Sequence, residues 1–151
     1  MQKAQDIMTR APKTVTPNVS VNELAKLLWE NRLNGVPVVD TEGNLLGVVT
    51  ESDLIDQTKK VHIPTVFNLL DSMIFLENPQ KVDKELKKMA GTTVEDIYTK
   101  EVTCVKPDTP LDEIASIMSE RKFHTIPVVA DGDKLVGVIG KSDIIKTLAQ
   151  S

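Results

Sequence analysis

Little cysteine, few aromatics and no long apolar run mark this 151-residue chain. Cys104 is its single cysteine, which excludes an intramolecular disulfide and fits a reducing cytosol. It is expected to be a small, half-buried strand residue rather than a nucleophile. One cysteine and two histidines, widely separated, make no metal-ligand set. Basic residues are outnumbered by acidic ones, 18 against 22. Lys84, Lys87 and Lys88 alternate with Asp83 and Glu85 as on a solvated helix face, so the electrostatic footprint of nucleic-acid binding is missing. No apolar stretch approaches the ~20 residues of a membrane span, and MQKAQDIMTR has no export-signal core. A P-loop, a GxGxxG and recognisable Ser/His/Asp or Cys/His sets are also absent. The expectation is a soluble cytoplasmic module that is not an enzyme, with neither nucleic acid nor membrane as partner.

What the chain does have, it has twice. Asp6–Ile55 reappears as Asp96–Ile145 without a gap at an offset of 90, with 17 paired positions identical. Two similar units of this size are expected to pack about a pseudo-twofold axis as one cooperative body, since ~50 residues alone bury too small a core. Related clefts should then lie between the copies. The division is 1–58, an insert 59–93, and 94–151.

Periodicity predicts the order β-α-β-β-α in each copy, an α/β (α+β) fold. Thr14–Thr16 is a short strand ended by Pro17. Ser20-Val21-Asn22-Glu23 fits a capping box, and Val21, Leu24, Ala25, Leu28 and Trp29 lie on one apolar face of a helix running to about Asn31. Val36–Val39 and Leu45–Val49 are strands around a Glu42-Gly43 turn, and Thr50–Asp53 caps a second helix. In the second copy the strands are Val102–Val105, Ile126–Val129 and Leu135–Ile139, the last two around the Asp131-Gly132 turn. Thr109-Pro110 offers a cap and a first-turn proline, with Ile114, Ala115, Ile117 and Met118 on the apolar face, and Ser142–Leu148 is the closing helix. The insert carries the apolar Ile63–Leu76 and an amphipathic helix Val82–Ala90. It is either a linker folded onto the body or an apolar lid or dimer surface.

One small constellation recurs: Thr50-x-x-Asp53 and Gly140-x-x-Asp143, each at a strand-to-helix junction. The unpaired N–H groups of a helix start attract phosphate, and an Asp one residue into the helix offers two acceptor oxygens that suit a vicinal diol such as that of ribose. The same residues also serve simply as caps, and spacing alone leaves both readings open.

The pattern DIMT, V-x-P, a helix, then GVPVVD, EGNLLGVVTESDL resembles the CBS domain, and its tandem repetition resembles a CBS pair, or Bateman module. This resemblance implies a regulatory module that takes adenosine-type ligands (AMP, ADP, ATP, with S-adenosylmethionine among them), requires no cofactor, and pairs as a homodimer. Output would pass in trans to an effector protein whose identity the sequence does not reveal. Carried over by motif, one site would use Val48, Val49, Thr50, Ser52 and Asp53 with Thr103 and Cys104 at the base and His124 and Thr125 toward phosphate. The other would use Val138, Ile139, Ser142 and Asp143 with Lys13, Thr14, Asn34 and Gly35. The copies differ at three points. Gly140 stands for Thr50, Lys141 for Glu51 as a cation near phosphate, and His124 for Asn34, an imidazole whose type switches charge near neutrality. On this basis the first site is expected to be the tighter.

Overall fold

A computed structural model describes residues 2–60, 92–121 and 123–150. The predicted insert segments, Ile63–Leu76 and Val82–Ala90, lie outside the described residues. In chain order the elements are α1 (Ala4–Ile7), β1 (Thr9–Arg10), α2 (Val21–Asn31), β2 (Gly35–Val39), β3 (Leu45–Thr50), α3 (Glu51–Lys60), α4 (Val94–Ile97), α5 (Leu111–Arg121), β4 (Thr125–Ala130), β5 (Lys134–Gly140) and α6 (Lys141–Ala149). No helix among the described residues is long and apolar enough to cross a membrane.

The mixed α+β fold follows the sequence pattern closely in its hairpins. β2 and β3 pair antiparallel with Pro37 opposite Val48, and β4 and β5 pair with Pro127 opposite Val138. Both ladders slip at the same point, Val38/Val39 and Val128/Val129. Turn glycines Gly43 and Gly132 take φ of 86° and 88°, a conformation that costs glycine nothing because it has no Cβ. The hairpin tips then join the two units: Asn44 bridges Lys134, and Leu45 N–H donates to the Asp133 carbonyl at 2.8 Å.

The expected first strands shrink to single contacts. Val15 bridges Val38 and Val105 bridges Val128, both in parallel sense. Their partners include Pro37 and Pro127, which have no N–H and can only accept, so the ladder stops after two bonds on each side. The helix α2 starts and ends as expected, with Ser20 Oγ accepting from Glu23 N–H at 3.2 Å. Its apolar face is narrower than the sequence pattern predicts: Val21, Leu24 and Leu28 are buried, whereas Ala25 is exposed and Trp29 is 84% exposed. In the second copy α5 begins at Leu111, so Pro110 precedes the helix rather than opening it, and Thr109 Oγ1 accepts from Lys106 N–H at 3.0 Å.

The finding with the largest consequence is an exchange of segments. Periodicity reads no element at Ala4–Ile7 or Val94–Ile97, yet each makes a one-turn helix. Ala4 is fully buried among Val105, Ile114, Ile126, Val128 and Ile139, the core of the second copy. Val94 is fully buried among Leu24, Leu28, Val36, Val38 and Val49, the core of the first. The backbone bonds repeat the swap. Ala4 N–H donates to Thr109 and Gln5 N–H to Pro107, and Val94 N–H donates to Val19 and Glu95 N–H to Pro17. After each short helix the chain runs along the other copy's inner strand. Thr9 pairs with Val138 on β5, giving the sheet order β1-β5-β4, and Thr99 bridges Val48 on β3.

Candidate functional site

Each strand-to-helix junction points into a cleft between the copies. At the first, β3 ends at Thr50 and α3 begins at Glu51. Asp53 Oδ2 accepts from Thr50 N–H at 2.9 Å, closing the first turn of the helix. Among the described residues, its other oxygen, Oδ1, receives a long bond of 3.4 Å from Thr99 Oγ1, from the segment that crosses over. At the second junction Asp143 Oδ2 accepts from Gly140 N–H at 2.7 Å. Capping and ligand contact are therefore compatible: Oδ2 of each carboxylate closes the helix while Asp53 and Asp143 both line their clefts.

The first cleft, of about 280 Å³, brings together Val48, Thr50, Ser52 and Asp53 from copy one with Thr103, His124 and Thr125 from copy two. Val49 and Cys104 are not part of it. Val49 is fully buried, because successive strand side chains point to opposite faces and Val48 takes the cleft side. Cys104 is exposed and outside any strand, contrary to its expected half-buried strand position. The second cleft, of about 340 Å³, brings together Lys13, Asn34, Gly35, Val138, Lys141, Ser142 and Asp143. Ile139 is buried beside Val138 for the same reason as Val49, and Thr14 is exposed outside the lining.

Sequence reasoning missed several walls. Thr99 and Phe123 line the first cleft, and Thr9, Arg32 and Leu33 the second. The repeated threonine of the D-I-x-T motif was a usable signal for Thr9 and Thr99. Arg32 gave none, since its place follows from the left-handed turn (φ 54°) that ends α2. Asn34, His124 and Thr125 line both clefts, so the matched pair Asn34/His124 stands between them.

The clefts differ in charge. Glu51 and Asp53 line the first, with no Lys or Arg among the described residues. Lys13, Arg32 and Lys141 line the second, against one carboxylate, Asp143. Arg121 donates to Thr103 Oγ1 at 2.9 Å without itself lining the first cleft. The described residues contain no group of three or more His, Cys, Asp or Glu placed to hold a metal.

Comparison with known proteins places these features in a family. The CBS domain matches residues 4–60 and again 94–150. An uncharacterized protein of Methanocaldococcus jannaschii, MJ1426, is 27% identical over 95% of this chain and 89% of its own length. The chloroplastic CBS domain-containing protein CBSX1 of Arabidopsis thaliana is 30% identical over 99% of this chain, which spans 62% of that protein. Among solved structures, CBSX2 in complex with AMP superposes with a TM-score of 0.74 at 28% identity, covering 99% of this chain and 98% of that one. The CBS domain pair of MJ0100 in complex with 5′-methylthioadenosine and S-adenosyl-L-methionine gives 0.72 at 26% identity, with the same coverage. With both repeats matched and both of their clefts formed, the chain belongs to the CBS domain family and carries the domain as a tandem pair.

Proposed function

We propose that this chain is a regulatory module, without catalytic activity of its own, that binds adenosine-type ligands between its repeats and passes the signal on through a partner protein or through dimerisation in the cytoplasm. The observation that carries this reading is the pair of equivalent clefts, each walled by a strand-to-helix junction whose Asp caps the helix through Oδ2 and lines the cleft, an arrangement that suits a diol. The AMP-bound CBSX2 and the methylthioadenosine- and S-adenosylmethionine-bound MJ0100 pair support the ligand class. Ligand bridging the copies would favour one relative angle over another, and only such differential affinity can move a conformational equilibrium.

Pairing as a homodimer is supported by apolar side chains left in solvent on the outer helices, Trp29 on α2 and Ile145 on α6, at 84% and 62% exposure. Sedimentation at micromolar concentration tests this, with Trp29→Ser and Ile145→Ser expected to shift the chain toward monomer.

The decisive measurement is thermal unfolding with AMP, ADP, ATP and S-adenosylmethionine in turn. A ligand at a hundredfold its Kd adds about 2.7 kcal/mol of stability, so at least one should raise Tm by several degrees. No shift with any of them overturns the ligand reading and leaves an interaction module with degenerate clefts.

A further inference from the structure

We propose that the two clefts sort adenosine-type ligands by charge, the Asp143 cleft taking phosphorylated ones and the Asp53 cleft taking ones that are uncharged or cationic. The inference rests on the reading of both clefts as adenosine sites and adds the chemical class that each selects. It also reverses the sequence expectation that the Asp53 site is the better phosphate binder.

The argument comes from matched positions. Because the copies align without a gap, a residue and its partner 90 positions on occupy equivalent places, and the ribose-facing Asp is common to both. Where the Asp143 cleft has Lys13, the Asp53 cleft has Thr103. Where the first has Lys141, the second has Glu51. At the matched lining positions, with the shared Asp, the charge is +1 in the Asp143 cleft (Lys13, Lys141, Asp143) and −2 in the Asp53 cleft (Thr103, Glu51, Asp53); Arg32, whose match in the sequence is Lys122, is left out of the comparison. Counting Arg121, which donates to Thr103, still leaves the Asp53 cleft negative. A nucleotide phosphate placed beside Glu51 meets like charge, whereas beside Lys141 it meets a charge-assisted donor.

A second observation points the same way. Gly140 has an ordinary extended backbone, φ −104° and ψ 169°, and a Cβ there would meet nothing closer than 3.6 Å. Neither conformation nor crowding requires glycine at this position. Its effect is to leave empty the space that the Thr50 side chain fills in the other cleft, at the start of a nine-residue helix whose first N–H groups face an anion favourably. The roomier and the more cationic cleft are the same one.

The test is isothermal titration of the full chain with two probes of opposite charge, ADP and S-adenosylmethionine. Glu51→Lys and Lys141→Glu are used singly and together, because both are exposed residues at the first helical position that line the clefts. Lys141→Glu should weaken ADP about tenfold and leave S-adenosylmethionine within twofold. Glu51→Lys should weaken S-adenosylmethionine severalfold, and the double swap should create ADP binding that Asp53→Ala removes. ADP affinity unmoved by Lys141→Glu, or ADP lost with Asp53→Ala in the otherwise native chain and kept with Asp143→Ala, overturns the sorting while leaving the clefts as adenosine sites. Failure of the native chain to bind either probe overturns both readings at once.

Discussion

Among single residues, Asp40 carries the clearest electrostatic signature. Its carboxylate lies below the ordinary range, chiefly because the Asn44 backbone N–H and then the Asn44 side chain donate to it. Glu42 N–H and the nearby charge of Lys134 act in the same direction. The bonds measure 2.9 Å from Asn44 N–H, 3.1 Å from its amide and 2.9 Å from Glu42 N–H. A carboxyl group whose folded pKa is lowered adds stability above its unfolded pKa, near 3.9. That contribution disappears as pH falls through the folded value. Unfolding titrations from pH 6 down to pH 2 should therefore show a loss of stability beginning near pH 4, and Asp40→Asn should flatten that limb. A mutant curve parallel to the native one would refute the assignment. The sequence marked this stretch only as a turn. The tuning comes mainly from the local bonds to Asn44, with a smaller contribution from Lys134 of the other copy, whose Nζ donates to the Glu42 carbonyl at 2.5 Å and which no local pattern announces.

For the individual elements, the sequence was most legible where a helical period or a turn-bounded apolar run marks the chain. Helix α2 falls where its 3.6-residue period places it and both hairpins fall where short apolar runs flank a glycine turn, β2 being buried on both faces. The one-turn helices are too short to show a period, and the first strands are too short to show alternation. The close approach of the crossing segments was likewise invisible, although its trace is a repeated glycine. A Cβ on Gly47 would lie far inside contact distance of the Thr99 carbonyl oxygen and 2.8 Å from the Tyr98 ring, and one on Gly137 would lie 3.0 Å from the Thr9 carbonyl oxygen. Gly47→Ala should cost about 1–3 kcal/mol, as overpacking against backbone does. Gly140→Ala, with room around it, should change stability by less than about 1 kcal/mol of either sign. Denaturant unfolding of the two variants side by side checks the contrast, and equal costs would contradict the packing at the crossing.

Taken as a whole, the molecule is held together by its exchanged segments. Val94 belongs by sequence to the second copy and by packing to the core of the first. Val94→Ala should therefore destabilise by about 2 kcal/mol, and circular dichroism and the fluorescence of Trp29, which sits on the first copy, should report the same shifted midpoint. Separate transitions for the two probes would mean that the copies fold independently. The clefts owe their composition to the same exchange, since Thr99 reaches the Asp53 cleft and Thr9 the Asp143 cleft along the crossing strands.

The candidate site was partly readable in advance. The motif located Asp53, Asp143 and their flanking strand and helix residues, because a cap and its junction are local events. It could not decide which of two adjacent strand residues faces the cleft, and so Val49 and Ile139 were expected in the linings beside Val48 and Val138. Nor could it find Arg32, whose place depends on how a helix ends. By itself the sequence determined the duplication, the helices and hairpins, and the charge at each matched position, all of which are properties of composition and short-range periodicity. Only the tertiary structure decided which copy each short helix completes and which charges share a cleft. Those depend on contacts between residues far apart in the chain, from 46 positions for Asp53 and Thr99 to 129 for Thr9 and Val138, which close packing specifies and no local pattern encodes.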